Sequence, residues 1–136
     1  WRVDVSSWGG ILSFAAVGRG IEGVVVDGAA RDVGEAADLG FPVYGRAAVP
    51  VTARGRIVQE AWDVPVRVAG VTVSPADLVL ADVNGVVFVP ADRAEEVLAV
   101  AERLAVREKA MIEAIRSGAS VVDVMHDARF EEAARG

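Results

Sequence analysis

The pattern of apolar and polar residues predicts that strands and helices alternate in the first part of the chain. Strict alternation is typical of a strand, spacings of three and four are typical of a helix, and a short β-branched run is typical of a buried strand. The predicted elements are a strand at Val3–Val5, a turn at Ser6–Gly10, a helix at Ile11–Val17, a buried strand at Gly23–Asp27 and a helix at Asp32–Leu39. This order indicates an α/β protein.

The centre of the chain is rich in short β-branched segments separated by turn residues. The predicted strands there are Pro42–Tyr44, Ala48–Ala53, Val64–Val68, Val71–Val73, Leu78–Ala81 and Val86–Val89. Pro90 ends the last strand, and a long helix is predicted from about Asp92 to Ser117, followed by a short helix within Val121–Ala134. Because no repeat or linker interrupts this order, we expect one domain over residues 1–136.

Composition narrows the kinds of site that the chain can build. The net charge of −6 gives no electrostatic reason to expect nucleic acid as a direct ligand. The absence of cysteine excludes disulfides and thiolate zinc sites, and the single histidine, His126, excludes multi-histidine metal sites within one chain. Any metal should therefore be held by oxygen atoms, which favours Mg²⁺ or Mn²⁺. The lack of cysteine suits a cytoplasmic protein, and because no apolar run is long enough to span a bilayer, we expect no membrane partner.

Four charged residues follow the apolar run Val24–Val26 within nine residues: Asp27, Arg31, Asp32 and Glu35. Loops at the carboxyl ends of buried strands are common ligand sites in α/β proteins. Asp32 and Glu35 also have the spacing of a capping box, in which Asp32 caps a helix and Glu35 reaches back to it. On spacing alone, the helix cap is the stronger interpretation.

Two further features carry candidate chemistry. Gly9, Gly10, Ile11 and Leu12 stand where a helix begins, and free backbone N–H groups at such a point can bind an anion such as a substrate carboxylate. The alternative is a simple glycine turn. Glu108 lies on the apolar stripe of the long helix, where a charge needs a partner. It either pairs with an arginine such as Arg103 or Arg107 or contributes to a site in a neighbouring subunit.

The motif Gly10, twenty residues, Arg31-Asp32, two residues, Glu35 resembles the signature of the RraA-like family, which includes the 4-hydroxy-4-methyl-2-oxoglutarate aldolases and the regulator of ribonuclease E activity. The similarity continues in order along most of the chain, through Gly23–Asp32, Phe41–Val43, Pro65-Val66, Gly70–Val73, Asp77–Val79, Asp82, Gly85–Pro90, Glu108 and Gly118. The chain departs from the family pattern by lacking a substantial segment before the first strand. It also has Ala76 where the family has glycine.

The resemblance implies a β/β/α sandwich similar to swivelling domains, assembled as a homotrimer or hexamer with sites between subunits. It implies that Arg31 binds the 2-oxo acid substrate and that Asp32 binds a divalent metal cation. The backbone of Gly9, Gly10, Ile11 and Leu12 is implied to clamp the substrate carboxylate. Family members with glycine at the position of Gly10 carry an acid three residues after the aspartate, here Glu35, which would act on a metal-bound water.

The implied activity is a class II retro-aldol cleavage that releases pyruvate, and the same chemistry would permit oxaloacetate decarboxylation. Lys109, the only lysine, is far in sequence from the motif, which disfavours a Schiff-base aldolase. The alternative is a non-catalytic, protein-binding regulator resembling the ribonuclease E regulator. Such a protein would have no need to combine Arg31, Asp32 and Glu35.

Overall fold

In the computed structural model, which describes residues 2–126 and residue 128, a parallel three-stranded sheet organises the first part of the chain. Its strands are β1 (Ser6–Trp8), β2 (Val24–Ala30) and β3 (Val43–Ala48), with β2 in the centre. Helices α1 (Gly10–Val17) and α2 (Val33–Asp38) connect them. Parallel neighbours need such crossovers, so the predicted strand–helix–strand beginning is confirmed.

The position of the first strand was predicted wrongly. Val3 and Val5 alternate with polar residues, but they lie in bends, and the segment expected to turn contains β1. A residue far away in the sequence holds Ser6 in this strand. The N–H and the Oγ of Ser6 both donate to the carbonyl of Val51, over 2.9 and 2.7 Å. Strand β2 also extends three residues beyond the predicted end at Asp27.

The central β-rich region is confirmed with changes at its beginning. Strands β4 (Val66–Val68) and β5 (Val71–Val73) form an antiparallel pair, and β6 (Leu78–Asp82) pairs with β7 (Gly85–Val89). The strand predicted at Ala48–Ala53 is wrong. The chain leaves β3 after Ala48, and Pro50 has no N–H to offer to a ladder.

The chain divides into two compact units, Trp1–Phe88 and Val89–Gly136. The second contains a 3-10 turn (Ala91–Arg93), the long helix α3 (Ala94–Arg116) and α4 (Val121–His126). The long helix is thereby confirmed, whereas residue 127 and residues 129–134 of the predicted last helix lie outside the described residues. One domain over residues 1–136 stays a prediction.

The core of the first unit lies where β2 ends. Its buried apolar residues are mostly small: Val5, Ala16, Ala29, Ala30, Ala36 and Phe41. The Phe41 ring stacks on Trp8 with a centroid distance of 5.9 Å, which anchors the end of β1. Among the described residues, no helix has the length and apolar character required to cross a membrane.

Candidate functional site

The carboxyl ends of β1 and β2 bring the two halves of the sequence motif together. The N–H of Arg31, directly after β2, donates to the carbonyl of Trp8, the last residue of β1, over 2.9 Å. Gly9 and Gly10 follow Trp8 and start α1, while Asp32 follows Arg31 and starts α2. The parallel pairing therefore places two helix starts side by side.

Asp32 occupies the N-cap position of α2 without capping that helix through its side chain. Its backbone has φ 55° and ψ 32°, in the left-handed region, which aspartate tolerates better than most residues. The carboxylate turns instead to α1, where Oδ2 accepts the N–H of Gly10 over 3.0 Å and lies 3.4 Å from Nε of Arg31. The capping-box interpretation is therefore wrong for Asp32, since its carboxylate serves the neighbouring helix.

Gly9 and Gly10 lie directly against the side chains of Arg31, Asp32 and Glu35. A Cβ atom on Gly9 would lie 2.9 Å from Nε of Arg31 and 3.1 Å from Oδ2 of Asp32. A Cβ atom on Gly10 would lie 2.3 Å from Oε2 of Glu35, closer than any two such atoms can approach. The carboxylate of Glu35 thus lies directly over Gly10, and a side chain at position 9 or 10 would have to displace the charged side chains next to it.

The N–H of Gly10 donates to Asp32, so the backbone N–H groups that remain at the start of α1 are those of Ile11 and Leu12. No hydrogen bond within the described part of the chain uses either N–H group. Unused N–H groups at the start of a helix, together with the helix dipole, are able to bind an anion. They lie beside a pocket of about 180 Å³, whose lining also includes Trp8, Arg31 and Thr52.

A buried hydroxyl supports the start of α1. Ser13 has no exposed surface; its Oγ accepts the indole N–H of Trp8 over 2.9 Å and donates to the carbonyl of Gly9 over 3.4 Å. Sequence reasoning did not single out Ser13 or Thr52. Serine on the inner face of an apolar helix was the one signal that could have identified Ser13.

The donor set fits a hard divalent cation that keeps several waters. Both contacts of Asp32 use Oδ2, and no described residue donates a hydrogen bond to Oδ1. The side chain is 30% exposed, so water can reach it. The described residues contain no group of three or more histidine, cysteine or acidic side chains placed to hold a metal. The accessible carboxylate of Asp32 fits Mg²⁺, because that cation is often held by one or two carboxylates together with water and substrate.

Asp27 does not belong to this site. It lies within β2, where its carboxylate pairs with Arg46 of β3 and accepts the N–H of Ala69 over 3.0 Å. The hydrogen bond from Arg46, aided by that from Ala69, lowers the pKa of Asp27. Its place in the predicted acidic loop is therefore wrong, because β2 continues beyond it and its partners lie on β3 and in the turn between β4 and β5.

Glu108 lies on α3 of the second unit and is exposed. It lines a groove of about 430 Å³ together with Leu104, Arg107 and Met111. No ion pair joins it to Arg103 or Arg107 within the described ranges. A role in a neighbouring subunit's site stays a prediction.

Comparison with known proteins places this geometry in a family. The model of the RraA-like family, described as Aldolase/RraA, matches residues 2–88. A protein of Halalkalibacterium halodurans named "Putative 4-hydroxy-4-methyl-2-oxoglutarate aldolase" is 37% identical over 100 residues, which cover 71% of this chain and 45% of the relative. The first curated relatives are longer proteins, of which the chain spans between 21% and 60%.

Solved structures agree with this assignment. A crystal structure of an uncharacterized protein from Pseudomonas syringae pv. tomato has a TM-score of 0.88 and 35% identity, covering 91% of this chain and 58% of the other. RraAS2 of Streptomyces coelicolor, described as an unusual member of the RNase ES inhibitor RraA protein family, has a TM-score of 0.73 and 32% identity. That match covers 83% of this chain and 57% of RraAS2. The fold with its long helix is thus the RraA-like fold, and the chain belongs to the RraA-like family.

Proposed function

We propose that the protein is a divalent-metal-dependent aldolase that cleaves 2-oxo acids of the 4-hydroxy-4-methyl-2-oxoglutarate type and releases pyruvate. Oxaloacetate decarboxylation follows from the same chemistry. The observation that carries the proposal is the placement of Arg31, Asp32 and Glu35 around the glycine start of α1. The relative's aldolase name supports the same class of reaction.

The start of α1 would bind the substrate carboxylate. The N–H groups of Ile11 and Leu12 supply donors that no described residue uses, and the helix dipole adds partial positive charge. Trp8 and Ser13 hold the preceding turn in place through a chain of hydrogen bonds. This support keeps the donors aligned before substrate arrives, which lowers the cost of ordering them.

Asp32 would hold the cation, and no described residue donates a hydrogen bond to its Oδ1, which leaves that oxygen available. A bound Mg²⁺ or Mn²⁺ acts as a Lewis acid toward the 2-keto group. Arg31 adds positive charge where the keto oxygen becomes negative as the carbon–carbon bond breaks. Glu35, whose carboxylate lies over Gly10, would accept the hydroxyl proton of the substrate through a water molecule and return a proton to the pyruvate methyl carbon.

Asp32→Asn tests this assignment with the least disturbance to the fold. Asparagine tolerates the left-handed conformation of residue 32 but removes the charge that the cation requires. We expect the wild-type protein to release pyruvate from oxaloacetate in a Mg²⁺-dependent manner. The rate of the Asp32→Asn variant should be at least about 100-fold lower. Pyruvate is followed by coupled reduction to lactate.

Asp38→Asn is the matched control, since Asp38 is an exposed aspartate at the other end of α2. It should keep the wild-type rate. Absence of Mg²⁺-dependent turnover in the full-length wild-type protein, with 4-hydroxy-4-methyl-2-oxoglutarate as well as oxaloacetate, would refute the enzyme assignment. Full activity of Asp32→Asn would refute only the role of Asp32.

A protein-binding regulator is the second candidate, because the solved relative RraAS2 is described as an RNase ES inhibitor family member. This role requires a docking surface and not the charged cluster. A ribonuclease E-type inhibition assay separates the two functions. Inhibition that is equal for wild type and Asp32→Asn, without pyruvate release by either, would favour the regulator.

A further inference from the structure

Ser13 has a buried hydroxyl whose two hydrogen bonds have a fixed direction. Its Oγ lies 2.9 Å from Nε1 of Trp8 and 3.4 Å from the carbonyl oxygen of Gly9. An indole N–H can only donate, so the oxygen of Ser13 accepts from Trp8 and the hydroxyl proton is directed to Gly9. Both bonds therefore run the same way, from the indole to the backbone at the start of α1.

The peptide group between Gly9 and Gly10 continues this chain of hydrogen bonds to Asp32. Its carbonyl, on Gly9, accepts from the hydroxyl of Ser13 and from the backbone N–H of Ser13, the latter over 3.1 Å. Its N–H, on Gly10, donates to Oδ2 of Asp32 over 3.0 Å. Because a peptide group is planar, bonds that hold the carbonyl also fix the direction of the N–H. Three consecutive hydrogen bonds thus connect the indole of Trp8 to the carboxylate of Asp32.

The bonds in this chain strengthen one another. A carbonyl that accepts hydrogen bonds polarises its peptide group, which makes the N–H on the other side a stronger donor. The acceptor of that N–H is the carboxylate of Asp32, and hydrogen bonds to charged groups are the stronger ones. Arg31 is the ion-pair partner of the same oxygen, with its Nε at 3.4 Å. The direction of the Asp32 carboxylate therefore depends on the N–H of Gly10.

The first donor of the chain is itself held in place. The ring of Trp8 stacks on Phe41 with an interplanar angle of 11°, and its carbonyl accepts the N–H of Arg31 over 2.9 Å. Phe41 is fixed in turn to the end of α2, because its N–H donates to the carbonyl of Ala36 over 2.9 Å. The indole N–H therefore approaches Ser13 from a well-anchored part of the first unit.

We propose that Ser13, together with Trp8, is a positioning residue that orients the carboxylate of Asp32 for a divalent cation. This inference rests on the proposed function, since it takes Asp32 to be the residue that holds the cation. Hydrogen-bond partners behind a metal-binding side chain orient it, and their loss weakens metal binding about 10–100-fold. Here the chain holds Oδ2 through Gly10, and no described residue donates a hydrogen bond to Oδ1.

Titration with Mn²⁺ tests the proposal without relying on turnover. Electron paramagnetic resonance measures the free Mn²⁺ in solutions of the full-length protein, and binding that Asp32→Asn removes is assigned to this site. Ser13→Ala removes the hydroxyl, and Trp8→Phe removes the indole N–H while keeping a ring against Phe41. We expect each variant to bind Mn²⁺ at this site about tenfold more weakly than wild type. The double variant should also be about tenfold weaker, because both substitutions break the same chain.

Ala16→Gly is the matched control, because Ala16 is buried on the same helix and takes no part in these hydrogen bonds. Glycine should lower the urea midpoint through its poor helix propensity and leave the Mn²⁺ affinity unchanged. Equal weakening of Mn²⁺ binding by Ala16→Gly and Ser13→Ala would show that only the stability of α1 matters, and would overturn the positioning role.

The other outcomes separate this inference from the proposed function. Wild-type Mn²⁺ affinity in Ser13→Ala and Trp8→Phe would overturn the positioning role alone. A double variant about a hundredfold weaker would overturn it too, since the two residues would then act independently. A wild type that binds no Mn²⁺, or binding that Asp32→Asn retains in full, would overturn Asp32 as the residue that holds the cation, and with it this inference.

Discussion

At the scale of single residues, the site depends on a close contact between Gly10 and the carboxylate of Glu35. The carboxylate of Glu35 fills the space that a side chain at position 10 would need. This contact gives a physical reason for the sequence rule that glycine at this position goes with an acid three residues after the aspartate. The spacing alone predicted both residues but not that they touch.

Gly10→Ala should displace Glu35. The added Cβ would lie 2.3 Å from Oε2 of Glu35, and the carboxylate, at the end of a flexible side chain, is what moves. We expect at least about tenfold lower pyruvate release, within the range attributed to general acid–base groups. The free energy of unfolding should change little, since alanine is compatible with the helix start. Rates and urea midpoints are measured on the same samples.

Gly34→Ala provides the comparison for that variant. Gly34 lies within α2, and a Cβ atom there meets no atom within 4 Å. Alanine should raise the free energy of unfolding by about 0.5–1 kcal/mol through helix propensity and leave the rate unchanged. Equal rates for Gly10→Ala and wild type would show that the position of Glu35 is not important for turnover.

Of the properties of single residues, backbone conformation was the hardest to predict from the sequence. Asp32 adopts φ 55° because the ends of two parallel strands hold it, and no local pattern encodes that restraint. The sequence showed only that Ala76 stands where the family pattern has glycine. It has φ 72°, in the region that favours glycine, which explains why the family pattern has glycine there.

At the scale of elements, local patterns predicted the helices and hairpins well and the parallel sheet less well. The Val71–Val73 strand, the strand that ends at Val89 and the long helix depend on neighbouring residues, and the structure confirms them. Strand β1 depends instead on Ala29, Ala30 and Val51, which lie far away in sequence. Alternation at Val3–Val5 was the stronger local pattern, but long-range pairing decided the outcome.

The link between Asp27 of β2, Arg46 of β3 and the turn at Ala69 gives an element-scale prediction about acid stability. Because these hydrogen bonds lower the folded-state pKa of Asp27, the link stabilises the fold above the unfolded-state value of about 3.9. That contribution is lost as pH falls through the lower, folded-state pKa. Asp27→Asn should therefore be less stable than wild type at neutral pH, and the difference should shrink below about pH 4.

Urea midpoints of both proteins from neutral pH to pH 3 test this expectation. Glu60→Gln serves as control, since Glu60 is exposed in a loop and makes no ion pair with the described residues. Its midpoint should follow wild type at every pH. A difference between Asp27→Asn and wild type that stays constant with pH would mean that the asparagine perturbs packing and that the charge of Asp27 does not contribute.

At the scale of the whole molecule, the exposed apolar face of α1 indicates a surface that another protein chain covers. Its buried residues are the small Gly10, Ser13 and Ala16, whereas its large apolar residues face outward: Ile11 is 80% and Phe14 71% exposed. A helix that buries its small side and exposes its large side is normally covered by a partner. We infer that further copies of the chain cover it, in the trimeric or hexameric assembly that the family resemblance implies.

Light scattering coupled to size-exclusion chromatography measures the molar mass of the assembly. We expect the wild-type mass to be three or six times that of one chain. Phe14→Asp should shift it toward the monomer, because the carboxylate would have to be buried without a partner. Val83→Asp is the control: Val83 is fully exposed in the turn between β6 and β7, so the assembly should persist. A monomeric wild type would refute self-assembly. A Phe14→Asp variant with unchanged mass would show that the outward face of α1 is not needed for the contact between copies.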